Sequence, residues 1–268
     1  MADKLTKEKV AELAKEIRER AHLTYTPIGM SLIKSEAEIP EGARRPGERG
    51  QAWPVCLAEN IVRTIGWTIA MTLDDQFCTM AAAGLGECEL PDYLAKGQMG
   101  SHHAKNPDIG KQLQETLEAY FQEPGSTVGV MLTPATEPLF MPQGVVIYGN
   151  PSQIGKICKG IAWYRGAPVP AAGGGFGGCI VAAYAITKDE RPRAVLPCSG
   201  EKVIGHTEEN DIFLATPVEE LPDIVEGMKA TDFILPYPTP KFMFFEPRVP
   251  KSYPIDHKTY KAWKAGKK

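Results

Sequence analysis

Residues 144–153 read GVVIYGNPSQ, and they contain the change from strand to helix that decides the fold. Residues 144–148 are apolar and rich in valine and isoleucine, which predicts a buried strand. Asn150 and Pro151 predict a turn, and a helix over residues 152–164 follows it. A buried strand that leads directly into a helix is typical of proteins in which helices cover a sheet.

The rest of the chain repeats this alternation irregularly. An amphipathic pattern with Thr6 as N-cap predicts a helix over residues 6–21. Further helices are predicted over residues 54–65, 108–121 and 217–229, and strands over residues 28–33, 68–73, 127–132, 194–196 and 211–215. We therefore predict an α/β (or α+β) fold, in which a mixed sheet is flanked by helices.

Length and composition favour one large domain followed by a tail. The chain has 268 residues, 43% of them hydrophobic, and a net charge of −3. We predict a single domain over residues 1–230, with possible pseudo-repeated halves at 1–125 and 126–230. A Pro-rich, aromatic and Lys-rich extension is predicted over residues 231–268. The charge gives no reason to expect nucleic-acid binding, and no apolar run is long enough for a membrane span.

Four of the six cysteines share a setting beside a glycine, a small residue or a proline. They form two spaced pairs and are the predicted metal ligands: Cys56, Cys78, Cys179 and Cys198. Four thiolates are what an iron–sulfur cluster or a structural zinc site requires. The C-x-x-C spacing of ferredoxins and zinc ribbons is absent, so four separately buried thiols are the alternative. The other two cysteines are expected in the core (Cys158) and near the surface (Cys88).

Glycines beside these cysteines predict close backbone approach to a bound group. Gly177, Gly178 and Gly200 are therefore the predicted cofactor-binding residues. Residues 173–178 match the G-x-G-x-x-G pattern, but two prolines precede them where a dinucleotide site needs a strand. We therefore favour a loop at a cluster or ligand over a dinucleotide site.

Evidence for catalysis is sparse. His102 and His103 are the histidines best suited to acid–base chemistry or metal binding, although adjacent histidines in a polar loop are commonly just solvated. The motifs of serine hydrolases, P-loop NTPases and zincins are absent. Whether the chain is an enzyme, such as an oxidoreductase or a component of one, stays open at this point.

Several stretches resemble the archaeal conserved region family (ArCR), which is domain-of-unknown-function family 169 of archaea and mainly anaerobic bacteria. They include residues 27–34, 38–43, 146–153, 197–200 and 217–221, together with the four cysteines, which match the cysteine positions of the family. The resemblance covers roughly residues 10–228. It implies a shared metal centre at these cysteines but no reaction, because the function of the family is not established.

These observations predict a cytoplasmic protein that binds a [4Fe–4S] cluster, with a redox or electron-transfer role in anaerobic metabolism. Zinc is the alternative metal. Two other functions stay open: an enzyme with a small-molecule pocket beside residues 173–178 and the cluster, and a structural or accessory subunit. The redox partner or substrate is not identified, and a homo-oligomer or complex formed through the C-terminal extension is expected.

Overall fold

A computed structural model describes residues 5–97, 103–232 and 257–266 of the chain. Within these residues, seven strands form one mixed sheet in the order β2-β3-β1-β4-β7-β6-β5. The strands are β1 (Ile28–Ile33), β2 (Ile69–Thr72), β3 (Gly129–Pro134), β4 (Gly144–Gly149), β5 (Ala171–Ala172), β6 (Arg193–Val195) and β7 (Ile212–Pro217). All neighbours pair antiparallel except β5 and β6, which are parallel. The predicted mixed sheet with flanking helices is confirmed.

Ten helices belong to the described part of the chain. They are α1 (Lys7–Ala21), α2 (Val55–Ile65), α3 (Thr79–Gly84), α4 (Asp92–Ala95), α5 (Pro107–Glu118), α6 (Pro151–Arg165), α7 (Gly178–Thr187), α8 (Ser199–Val203), α9 (Leu221–Thr231) and α10 (His257–Ala265). Five of them (α3, α4, α7, α8 and α10) were not predicted from the sequence. None of the described helices is long and apolar enough to cross a membrane.

The two faces of the sheet bury separate hydrophobic clusters, as strand alternation requires. On β4, Val145 and Ile147 pack with residues of α1, α6 and α9. Val146 and Tyr148 point to the other face and pack with residues of α2, α3 and α7. Helices therefore cover both faces, and α2, α3 and α7 lie together on one of them.

The local sequence explains the start of α6, the helix that follows β4 in residues 144–153. The side chain of Asn150 accepts hydrogen bonds from the backbone N–H groups of Ser152 and Gln153, and Gln153 returns a bond to the backbone of Asn150. Pro151 occupies the first turn, where its missing N–H costs nothing. This capping box fixes the direction in which the chain leaves β4.

Candidate functional site

The four predicted cysteine ligands line one cavity of about 340 Å³. Its walls come from the starts of α2, α3, α7 and α8, on the side of the sheet that α2, α3 and α7 cover. The sequence spacing of these residues is large, so only the fold brings them to the same cavity. Cys56, Cys78, Cys179 and Cys198 therefore share one cavity, and their role as metal ligands stays a prediction.

Each of these cysteines stands at the beginning of a helix. Cys56 and Cys179 are the second residues of α2 and α7, whereas Cys78 and Cys198 are the N-cap residues of α3 and α8. The first N–H groups of a helix have no partner within the helix, and they carry partial positive charge. A cavity bordered by helix starts therefore favours anionic groups, including thiolates.

Two of the predicted glycines, Gly178 and Gly200, lie beside the sulfur of Cys198. Burial raises the pKa of the Cys198 thiol, and backbone N–H groups of Glu201, Gly178 and Gly200 donate to the sulfur and oppose that shift. A Cβ atom on Gly178 would collide with the carboxyl group of Glu201. Gly177 lines the cavity and adopts a φ of 67° as N-cap of α7, a conformation that favours glycine. Gly177 and Gly200 thus line the cysteine cavity, and Gly178 lies between two of its lining residues, Gly177 and Cys179.

Two buried glutamates beside the cysteines were missed from the sequence. Glu59 follows Cys56 by three residues on α2, and Glu201 follows Cys198 by three residues on α8. Their exposed fractions are 0% and 1%, and each has one side-chain oxygen without a hydrogen-bond partner. The repeated Cys-x-x-Glu pattern was the available signal, because residues three apart on a helix share a face.

Burial raises the pKa of both glutamates, and at Glu59 the nearby Glu201 adds to the shift. Glu59 accepts a hydrogen bond of 2.8 Å from the hydroxyl of Tyr148, which opposes the shift. Arg63, one turn further along α2, also favours the charged form of both carboxyls. This arrangement favours neutral carboxyls in the glutamate pair.

Arg63 connects the cavity to the loop that follows α8. Its guanidinium lies 4.4 Å from the ring centres of both Tyr25 and Tyr148. It forms an ion pair of 3.3 Å with Asp211 and donates to the backbone carbonyl of His206, also at 3.3 Å. A buried charge with this many partners holds α2 and the 206–211 loop in a fixed relation.

Cys56 and Cys179 are not set up as free nucleophiles. Burial raises the pKa of Cys56 and of Cys179, and the two neighbouring glutamates raise both further. Cys56 instead acts as a donor, with its sulfur 3.6 Å from the carbonyl oxygen of Gly200. A reactive cysteine needs a lowered pKa, so these thiols resemble ligands or buried groups more than attacking thiolates.

The described part of the chain contains no ready site for a single metal ion. Across residues 5–97, 103–232 and 257–266, no group of three or more His, Cys, Asp or Glu side chains lies in a position to hold one metal ion. Zinc bonds its thiolates at about 2.3 Å from one centre. The cysteines therefore share a cavity without gathering around a single point.

The histidine predictions have different outcomes. His103 is exposed and lines the mouth of the cysteine cavity, with its ring centre 5.2 Å from that of Phe176. His102 lies outside the described residues. Only His103 can therefore be assigned to the cavity.

The glycine-rich loop separates two cavities. Phe176 borders the cysteine cavity and also a neighbouring one of about 250 Å³, which Gly173, Gly174 and Tyr120 line. The loop follows β5 and leads into α7, so the strand that the sequence argument found missing is present. That strand has two residues and lies at the sheet edge, where Pro168 and Pro170 hid it from prediction.

The remaining cysteines lie apart from the cavity. Cys158 is on α6 and packs in the cluster on the other face of the sheet, as its predicted core role requires. Cys88 is partly buried, and burial followed by the neighbouring Glu87 raises its thiol pKa. All six cysteines are free of disulfide bonds. These two thiols serve as natural controls for the four in the cavity.

Comparison with known proteins gives a family and one relative. The family model described as uncharacterised ArCR, domain-of-unknown-function family 169, matches residues 16–227. The chain is also similar to the uncharacterized protein MJ0308 of Methanocaldococcus jannaschii. The two are 25% identical over 224 residues, which cover 82% of this chain and 94% of that protein. No solved structure matches.

Proposed function

The chain belongs to the uncharacterised ArCR family, whose description names no reaction, and we propose from its cysteine cavity that it binds a [4Fe–4S] cluster and transfers electrons. The observation that carries this proposal is the meeting of four thiols, from four different helix starts, in one cavity. Four cysteine thiolates are the usual ligand set of such a cluster.

The charge requirements of a cluster support the proposal. A [4Fe–4S] cluster with four thiolates is an anion, so it gains from N–H groups and partial positive charge around it. The starts of α2 and α7 supply such charge, and three backbone N–H groups surround the sulfur of Cys198. Gly178 allows this approach because a side chain at its position would collide with the carboxyl group of Glu201.

Four dispersed cysteines flanked by glycines or small residues favour a cluster over zinc in this proposal. In a four-iron cluster each thiolate binds a different iron atom, so the sulfurs need not meet at one centre. The described residues supply no group of three or more ligands for a single ion, whereas the cavity holds four thiols at its walls. Zinc remains the alternative cofactor, and it would require the cysteines to move together.

Electron transfer is the role that four protein ligands favour, because they leave no iron atom with an open position for substrate. The mouth of the cavity gives a redox partner access from one side, past Phe77 and Tyr93, which are 66% and 51% exposed. We assign the protein to a reducing, cytoplasmic setting and an anaerobic metabolism, in which free thiols persist.

Anaerobic purification followed by iron, acid-labile sulfide and zinc analysis tests the proposal. About four irons and four sulfides per chain, with visible absorbance that dithionite bleaches, are expected. Stoichiometric zinc without iron would make the site structural. A chain that takes up neither metal, even after reconstitution, would refute metal binding.

The variant Cys179→Ser tests the ligand assignment, and Cys158→Ser is its matched control on another helix. Cys179→Ser should lose most of the bound iron, whereas Cys158→Ser should keep it, because Cys158 packs on the opposite face of the sheet. Equal iron content in both variants would show that Cys179 is not a ligand.

An enzyme that acts on a small molecule is the second candidate, and the cavity mouth favours it. His103 and Phe176 border the same cavity as the thiols, and a second cavity adjoins the glycine-rich loop. A ligand screen with His103→Ala as the comparison variant tests this function. A structural subunit assembled through the extension is a third possibility, but residues 233–256 of that extension lie outside the described residues.

A further inference from the structure

The cysteine cavity has a largely apolar wall and room for a small molecule. Carbon-rich side chains from several helices and loops line it: Val55, Ala81, Leu94, Phe176, Ile180 and Ile204. An apolar cavity of about 150 Å³ is enough to bind benzene. The volume of about 340 Å³ therefore has room for a substituted aromatic ring.

One buried carboxyl interrupts this apolar wall. Glu201 lines the cavity, is 1% exposed, and has no hydrogen-bond partner for its Oε1 atom. Its other oxygen, Oε2, accepts a hydrogen bond from the backbone N–H of Cys198. A buried oxygen without a partner is unfavourable, so a ligand that supplies the missing hydrogen bond gains free energy there.

The charges around the cavity favour a neutral ligand. No lysine or arginine stands among the described residues that line it. An anionic ligand would therefore lie next to the carboxyl of Glu201 without a cationic side chain to pair with it. A cationic ligand would face the starts of α2 and α7, which carry partial positive charge.

We propose that the metal-free cavity binds a neutral phenol, with its ring among the apolar side chains and its hydroxyl bonded to Oε1 of Glu201. A hydroxyl both donates and accepts, so it pairs with the carboxyl in either protonation state. Phe77, Tyr93 and Phe176 also line the cavity, and aromatic rings pack favourably against one another.

This inference rests on the second candidate function, the small-molecule site, and it needs no metal. A phenol and a cluster would occupy the same space, so each should exclude the other. Binding involves no covalent step, because the hydroxyl only completes the hydrogen bonding of a carboxyl that is already in place.

Calorimetric titration of the whole chain, treated with a chelator and shown to hold no iron or zinc, tests the inference with three probes. p-Cresol should bind about ten-fold more tightly than toluene, which has the same ring and methyl group without the hydroxyl. p-Toluate, which carries a carboxylate in place of the hydroxyl, should not bind. Equal binding of p-cresol and toluene, or no binding of p-cresol, would overturn the inference.

Two variants locate the hydroxyl through the ratio of the p-cresol and toluene affinities. Glu201→Met removes the carboxyl and should bind both probes equally. Glu59→Gln is the control, because Glu59 is a second buried glutamate that does not line the cavity, and it should keep the ten-fold ratio. An unchanged ratio in Glu201→Met would show that the hydroxyl does not bond to Glu201.

A third variant keeps the test decisive if circular dichroism shows that Glu201→Met does not fold. Ala81→Leu places a larger side chain in the cavity wall and should weaken p-cresol binding about ten-fold or more. Unchanged affinity in this variant would place the phenol outside the cavity and overturn the inference.

Iron and sulfide analysis of the same chain separates this inference from the proposed cluster. A chain that takes up about four irons but binds no p-cresol when metal-free would overturn the inference alone. A chain that binds p-cresol but takes up no iron or sulfide on reconstitution would overturn the cluster alone. Release of bound p-cresol as a cluster assembles would support one shared cavity.

Discussion

Glu59, the buried glutamate three residues after Cys56, should make the protein less stable as pH rises. An exposed carboxyl in an ion pair has the opposite effect. Burial raises the pKa of Glu59 to about 8, against an ordinary value of 4.5. Between these values the unfolded chain releases a proton that the folded chain retains, so the free energy of unfolding falls as pH rises. The fall is about 1.4 kcal/mol per pH unit for one carboxyl.

The variant Glu59→Gln removes this effect and keeps the shape of the side chain. Its amide oxygen can accept a hydrogen bond from the hydroxyl of Tyr148, and the amide is neutral, so no new unpaired charge is buried. Relative to wild type, the variant should gain about 2 to 3 kcal/mol of stability between about pH 5 and about pH 7. The gain arises because wild type weakens over this range.

Urea unfolding of both proteins at the two pH values, with matched metal content, measures the gain. Glu226→Gln is the control, since Glu226 is an exposed glutamate on α9. Its stability relative to wild type should stay constant within about 0.5 kcal/mol. If Glu59→Gln also shows the same difference from wild type at both pH values, Glu59 is charged in the folded protein and the reasoning fails.

Two further predictions concern the packing and the ion pairs of the fold. Gly160→Ala should lower the free energy of unfolding by about 1–3 kcal/mol, because its Cβ would lie 2.8 Å from the backbone nitrogen of Met228. Gly155→Ala, on the same helix, meets nothing within 4 Å and should stabilise the protein by about 0.5–1 kcal/mol. Thermal unfolding compares the two variants, and equal effects would contradict the close α6–α9 packing. Arg45→Met should lower the free energy of unfolding by about 1–3 kcal/mol, because Arg45 donates two hydrogen bonds, of 2.8 and 3.1 Å, to the buried carboxylate of Asp75. An unchanged midpoint of urea unfolding would show that these bonds do not stabilise the fold.

Elements with a clear apolar period were predictable from sequence. The helix predicted over residues 6–21 is α1, with Thr6 as its N-cap, and the strand predicted over residues 28–33 is β1. These segments have one buried stripe or a continuous apolar run, which identifies them without knowledge of their partners. The strand and helix of the deciding stretch were predicted within one residue at each end.

Helix α7 was not predictable in the same way, because it is apolar around its whole circumference. Small and apolar residues make up nearly all of it, from Cys179 to Ile186, and most are buried. An all-apolar segment of ten residues has no period that separates a buried helix from a buried strand. Its position against the sheet is a tertiary property, which a local pattern does not contain.

The candidate site was predictable in part. The sequence indicated the four cysteines and their three glycines, but it did not indicate Glu59, Glu201 or the role of Arg63. Charged side chains are usually exposed to water, so a sequence argument places all three of these residues at the surface. Only the packing of α2 against α8 shows that the two carboxyls are enclosed.

A helix and a strand separate the two cysteines of each pair, which explains why the spacings are near twenty residues rather than the two of a C-x-x-C motif. Cys56 and Cys78 are separated by α2 and β2, and Cys179 and Cys198 by α7 and β6. A helix of ten or eleven residues advances about 16 Å, and a short strand with its turns returns about the same distance. The second cysteine therefore comes back to the end of the sheet where the first one began. Two such steps, one on each side of the central β1–β4 pair, bring four helix starts to one cavity, so ligands far apart in sequence require no local metal-binding motif.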